Sequence, residues 1–144
     1  MRILVQRVEK ATVEIGGEIF SSISQGLLIF LGIELNDTID DVVWLAQKAV
    51  NLRIFNDSEQ KMNLSIKEIN GDILLVSQFT LHASTKKGNR PSFIQAAKPE
   101  IAEPLYRLFI LELEKNLGKK MATGQFGAMM KIGLVNDGPV TIFM

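Results

Sequence analysis

The sequence predicts an α/β fold of α+β character: a mixed, largely antiparallel β-sheet carrying two main helices. Three observations predict it. Short segments rich in Ile, Val, Leu and Phe, punctuated by Gly or Asn-Gly, fill the first part of the chain and return at its end. Two later stretches switch to the helical period, and no long linker, repeat or low-complexity tract divides the chain, so residues 1–144 are expected to form a single domain.

Strands are expected over Arg2 to Val8, Ala11 to Ile15, Glu18 to Ile23 and Gly26 to Ile33. Gly16-Gly17 between the second and third is a two-residue hairpin signal, because glycine reaches the positive φ angles of primed turns. From Thr38 the period changes. Ile39, Val42, Val43, Ala46, Ala49 and Val50 fall on one helical face, with Thr38 and Asp41 spaced as a capping box. Asp40 and Asp41 near the start, and Lys48 and Arg53 near the end, have the polarity that the helix dipole favours. Asn70-Gly71 then precedes Asp72 to Phe79, where Ile73, Leu74, Leu75 and Val76 in succession suit a central strand covered on both faces. A second helix is marked by Ile101, Leu105, Leu108, Phe109 and Leu113, with Glu112 and Glu114 outward and Gly118 as its stop. Pro99 and Pro104 each fit a first helical turn, and spacing does not choose between them. Met129 to Val135 and Val140 to Met144 supply the last two strands.

Composition narrows the function. Sixteen basic and sixteen acidic residues cancel, so a polyanion must be met by a local patch rather than a global field. With no cysteine and one histidine, neither a disulfide framework nor a thiolate or histidine-cluster metal site is expected, and no cofactor is implied. The apolar run Gly26 to Ile33 is too short to cross a bilayer, and Met1 to Arg7 lacks the long apolar block of a secretion signal, so a soluble, cytoplasmic protein is expected.

Four motifs offer chemistry. Ser77-Gln78-Phe79-Thr80 brings two hydroxyls, an amide and a ring to the end of a hydrophobic strand, either as a site with backbone N–H groups turned toward a developing oxyanion or as a capped strand end. A nucleophilic Thr80 would need a base, and the only candidate near it in sequence is His82, for which no carboxylate is spaced as an orienter; His82 is therefore read as a solvated loop histidine. Lys86-Lys87-Gly88-Asn89-Arg90-Pro91 is a basic loop that could position a phosphate backbone or simply be solvated. In Thr123-Gly124-Gln125-Phe126-Gly127-Ala128, glycines flank a ring that could stack on a base or pack in the core. Asn136-Asp137-Gly138-Pro139-Val140-Thr141 is a β-turn composition, or a rigid corner whose carbonyls could distinguish enantiomers by steric exclusion.

Together these motifs, in this order and over the whole chain, resemble the D-aminoacyl-tRNA deacylase family; Leu105-Tyr106 and Phe109 in the second helix region match as well. The resemblance implies a hydrolase that cleaves the ester of D-aminoacyl-tRNA, and of glycine wrongly attached to alanine tRNA, as proofreading for translation. It implies a homodimer in which the Gly138-Pro139 corner, its peptide bond cis, reaches into the partner's site. It further implies that Ser77, Gln78, Phe79 and Thr80 line the pocket for the aminoacyl group and terminal adenosine, and that Arg7 braces the corner. The family's two mechanisms make the threonine matching Thr80 a nucleophile or assign the chemistry to the tRNA 2′-hydroxyl with help from backbone around Gln78; the residues favour the second. The expected partner is the aminoacyl-tRNA acceptor end, with no membrane or DNA. The competing reading is a nucleic-acid-binding module without turnover.

Overall fold

A computed structural model describes all 144 residues, Met1 to Met144. β1 (Arg2–Ile15) turns at Gly16-Gly17 into β2 (Glu18–Ile23), and β3 (Gly26–Gly32) returns beside β1. Next come α1 (Ile39–Val50), a small hairpin of β4 (Phe55–Asn56) and β5 (Met62–Leu64), β6 (Asp72–Ser77) and a 3-10 turn (Phe79–His82). The chain ends with α2 (Pro99–Leu117), β7 (Ala122–Thr123) and β8 (Lys131–Phe143). The main sheet has the order β2-β1-β3-β6-β7, with β8 laid along β1. β1 is antiparallel to β2, β3 and β8, whereas β3–β6 and β6–β7 are parallel, which is the mixed, largely antiparallel sheet the sequence predicts. The Ser21 hydroxyl on β2 donates to the Thr123 carbonyl on β7 at 2.8 Å, so the sheet curls until its two ends meet.

Two pairs of expected strands are each one strand. Arg2–Val8 pairs with β3 and Ala11–Ile15 with β2, but β8 pairs with β1 from Leu4 to Glu14 and holds the two halves in line. The same continuity joins Met129–Val135 and Val140–Met144 across the Gly-Pro corner into β8, because β1 supplies partners on both sides of the interruption. Propensity located the segments; the partner strand decided where they end.

The core lies on both faces of the sheet. Ile3, Val5, Leu27, Ile29, Ile73 and Leu75 meet the helices on one face, and Val8, Ala11, Val13, Leu28, Leu74 and Val76 fill the inside of the curl on the other. This two-sided burial accounts for the uninterrupted apolar run of β6. α1 begins with the expected capping box: the Asp41 carboxylate accepts the Thr38 N–H and hydroxyl, each at 2.7 Å, and those bonds hold its pKa below the ordinary aspartate value. Its buried stripe is Val42, Leu45, Ala46, Ala49 and Val50, while Ile39 and Val43 are exposed. The stripe keeps i, i+3, i+4, i+7 spacing from Val42, and Val43 falls about 100° further round. Arg53 plays no part in ending α1; it donates to the Asn63 carbonyl at 2.8 Å and ties down β5.

α2 starts at Pro99, which settles the choice between the two prolines; Pro104 lies inside the helix on its exposed side. Ala102, Tyr106, Phe109, Leu113 and Leu117 are its buried face, Ile101 is exposed, and Gly118 caps the end in the left-handed region at φ 83°. The Tyr106 hydroxyl donates to the Leu75 carbonyl of β6 at 3.2 Å, and burial pushes its pKa up to about 12. Below about pH 10 the phenol is neutral in both folded and unfolded chains. Between about pH 10 and 12 only the unfolded chain loses the proton, so this group subtracts about 1.4 kcal/mol of stability per pH unit. Tyr106→Phe keeps the ring and is expected to flatten that component of the alkaline loss, measured by denaturant unfolding of both proteins at about pH 9 and pH 11.5.

Candidate active site

β6 delivers its polar end to the rim of a cavity. The buried run stops at Val76, Ser77 is the last strand residue, and the Gln78 N–H continues the parallel ladder by donating to the Leu31 carbonyl at 2.7 Å. The chain then folds into the 3-10 turn, where the Leu81 N–H donates to Gln78 and the Ala83 N–H to Thr80. The N–H groups of Phe79 and Thr80 open that turn and have no partner within it. Gly32 of β3 permits the close packing beneath: a Cβ there would stand 3.0 Å from the Gln78 carbonyl, the Leu81 Cβ and the His82 ring.

Ser77, Gln78, Phe79 and Thr80 all line one cavity of about 780 Å³, together with Phe126 and Gly127. Thirteen of its nineteen lining residues are hydrophobic, the makeup of a small-molecule pocket in which a few polar groups fix orientation. The exposed Phe79 ring meets Phe93 edge-on at 5.0 Å, and the Phe126 ring tilts against Tyr106 at 5.5 Å, so Phe126 both packs and faces the cavity. Thr80 Oγ1 accepts a hydrogen bond from the Gln78 side-chain amide at 2.5 Å. An amide N–H gives a proton and cannot take one, so this contact positions the hydroxyl without activating it.

His82 corrects the sequence reading. It is buried rather than solvated, both ring nitrogens lack a hydrogen-bond partner, and a carboxylate is near: Glu34 Oε2 stands 4.0 Å from Nδ1. The 3-10 turn rotates this side chain inward against Gly32, an outcome that an extended reading of residues 80–82 does not allow.

The Gly138-Pro139 corner lies elsewhere on the chain. Between the pairs Gln6–Thr141 and Val8–Asn136, one residue of β1, Arg7, faces four of β8, Asp137 to Val140. The surplus is thrown outward as a bulge with Gly138 and Pro139 exposed and their peptide bond cis. Arg7 is buried beneath it. Its Nη1 donates to the Ile54 carbonyl at 2.6 Å, and its Nε donates to the Asp137 carbonyl at 3.2 Å and ion-pairs with the Asp137 carboxylate at 3.1 Å. The Asn136 amide donates to the carbonyls of Arg7 and Val140, at 2.9 and 3.1 Å, closing the neck of the bulge. Gly138 has φ +123°, and a Cβ on it would meet Arg7 Nη2 at 2.8 Å.

Ser77, Gln78, Phe79, Thr80 and Phe126 are thus brought together, while Arg7, Gly138 and Pro139 form a second, separate group that does not line this chain's cavity. Sequence reasoning took Asn136 for a turn residue and missed its role at the neck. It also missed Leu31, Lys98, Met129 and Met130 on the cavity wall, which carry no motif of their own.

The family model described as D-Tyr-tRNA(Tyr) deacylase matches residues 4–144. A protein of Flavobacterium psychrophilum named D-aminoacyl-tRNA deacylase is 58% identical over all of this chain and 96% of its own length, and one of Bacteroides thetaiotaomicron with the same name is 60% identical over the same shares. Among solved structures, one named c-Myc DNA unwinding element binding protein superposes with a TM-score of 0.95 at 41% identity, covering 100% of this chain and 97% of the other. Another, described as a probable eukaryotic D-amino acid tRNA deacylase, shares the fold with a TM-score of 0.86 at 16% identity, covering 99% and 97%. The motifs, the cavity at the end of β6 and these matches agree: the chain belongs to the D-Tyr-tRNA(Tyr) deacylase family.

Proposed function

We propose that this protein hydrolyses the ester between a D-amino acid and the 3′ end of tRNA, and likewise mischarged glycyl-tRNA(Ala), as proofreading for translation in the cytoplasm. The observation that carries the reading is the presence on one chain of a cavity and a separate braced corner. The cavity has polar groups at the strand end and is not lined by the corner, and the braced corner has exposed residues but lines no part of that cavity. A two-fold homodimer that sets the corner of one protomer over the cavity of its partner completes both.

In the proposed site the terminal adenosine lies against Phe79 and Phe126, and the ester carbonyl sits by Ser77, Gln78 and Thr80. Water attacks that carbonyl, the N–H groups opening the 3-10 turn stabilise the oxyanion, and the tetrahedral adduct collapses with release of the tRNA 3′-oxygen. The 2′-hydroxyl takes a proton from the water and passes its own to the departing oxygen, leaving free D-amino acid and tRNA. The Thr80–Gln78 contact supports this assignment, since the threonine hydroxyl is held by a donor and not by a base. Selectivity comes from exclusion: an L side chain would be driven into the Gly138 and Pro139 carbonyls, and glycine, with no side chain, passes. A second reading, nucleic-acid binding without turnover, draws on the 41%-identical solved structure, whose name gives that protein as DNA-binding.

Incubation with D-tyrosyl-tRNA and L-tyrosyl-tRNA separates the two: D-tyrosine is expected to be freed and the L-ester to survive, whereas binding with no release of D-tyrosine selects the second reading. Gly138→Ala forces a methyl against the Arg7 guanidinium at a backbone angle that L-residues avoid. It is expected to cost at least about tenfold in D-aminoacyl-tRNA turnover or in D-over-L selectivity, roughly 1.4 kcal/mol, in a folded protein; full retention of both contradicts the exclusion role. Thr80→Ala is expected to stay within about tenfold of wild type in single-turnover hydrolysis, and a loss of about a thousandfold or more in folded protein would restore the nucleophile mechanism.

A further inference from the structure

The cavity has a charged margin that the hydrolytic mechanism does not use. From Ile73 through Pro99 the chain carries four cations, Lys86, Lys87, Arg90 and Lys98, and no Asp or Glu, leaving twelve basic against sixteen acidic residues elsewhere. A chain with no net charge has therefore put a positive segment beside its cavity; the other acid-free run, residues 115–136, also carries four cations, Lys115, Lys119, Lys120 and Lys131, but each of those is ion-paired. Elsewhere cations are mostly neutralised in place: Lys61, Arg107, Lys115, Lys119, Lys120 and Lys131 each hold a carboxylate. Lys86, Lys87, Arg90 and Lys98 make no ion pair, and the other unpaired lysines, Lys10, Lys48 and Lys67, stand singly with Glu9, Gln47 and Glu68 as immediate neighbours.

The mounting is specific. Ser84 and Ser92 exchange both backbone hydrogen bonds, at 2.8 and 2.9 Å, closing the base of the loop that displays Lys86, Lys87 and Arg90. The residue after the base is Phe93, which lines the cavity and abuts Phe79. On the far side the Ala97 N–H donates to the Ile33 carbonyl at 2.9 Å, and Lys98 lines the cavity itself. The carboxylates nearest in sequence or pairing are Glu34, turned toward the Met1 amine and His82, and Glu100 in the first turn of α2.

We propose that the Ser84–Ser92 loop with Lys98 grips phosphates of the tRNA acceptor end next to the terminal adenosine, a proposal that rests on the deacylase reading for the identity of its ligand. The loop offers the point charges of Lys86 and Lys87 on flexible stems, the Arg90 fork that matches phosphate geometry, and no aromatic ring between Ala83 and Ser92, so it contacts backbone without reading bases and serves different acceptor ends alike. Three or four phosphates neutralised at about 0.7 each give a log–log salt slope of roughly −2 to −3 for single-stranded ends.

The test is direct titration of uncharged tRNA at increasing salt with wild-type protein, with Lys86→Ala/Lys87→Ala/Arg90→Ala, and with Lys61→Ala/Lys115→Ala/Lys120→Ala, which changes net charge equally at ion-paired positions. The loop variant is expected to bind about tenfold or more weakly at low salt with its slope flattened by about 2, and the control to stay within about twofold of wild type. Wild-type slope and affinity in the loop variant, an equal loss in the control, or no tRNA binding by the wild type overturns the proposal. The same proteins assayed on D-tyrosyl-tRNA keep the two claims apart. Hydrolysis with unaltered binding in the loop variant overturns the grip alone; loop-dependent tRNA binding without D-tyrosine release supports the grip and overturns the deacylase reading alone.

Discussion

Opposite Arg7, the pairing of β1 with β8 must absorb three surplus residues, and a buried guanidinium makes that possible. Burying a cation is costly unless its donors are met. Arg7 Nη1 is met by the Ile54 carbonyl on one side and Nε by the Asp137 carbonyl and carboxylate on the other, so the charge is bonded at both the core and the bulge. The residues it supports, Gly138 and Pro139, are then exposed yet held, with Asn136 clamping the neck. A loose corner would yield to an intruding side chain, whereas a braced one can refuse it. Under the proposed function, that bracing is what would let main chain alone filter enantiomers.

The cavity depends on β6. Its parallel pairing with β3 carries a doubly buried strand to its polar end, where the chain turns sharply and the N–H groups of Phe79 and Thr80, both cavity-lining residues, have no partner within the turn. Rigid packing sits directly behind the polar groups, since Gly32 lets the turn lie against β3 and His82 plugs the space beneath it. Backbone donors held this way need no reorganisation when charge develops on a substrate, which suits a mechanism in which RNA supplies the proton relay.

Much of this was legible in the sequence. The Gly16-Gly17 turn, the Thr38–Asp41 capping box, the two-faced β6 and the Gly118 stop are local signals, and each stands where its residues put it. Where strands merge or end was not legible, because β8 decides it from more than a hundred residues away. His82 was misread for a related reason: its burial follows from a turn that Gly32, fifty residues earlier, makes room for. The motif residues Ser77 to Thr80 and Phe126 could be picked out by chemistry, but Asn136 at the neck and Leu31, Met129 and Met130 on the wall act through placement, and placement has no residue-type signature.

The most direct measurement is a crystal structure with a non-hydrolysable 3′-D-aminoacyl-adenosine analogue. The account predicts a two-fold dimer with the analogue's ring near Phe79 and Phe126, its carbonyl beside Gln78 and Thr80, and the partner subunit's Gly138 and Pro139 carbonyls in contact with the α-carbon. An analogue bound in that cavity while both copies of the corner point into solvent would contradict it.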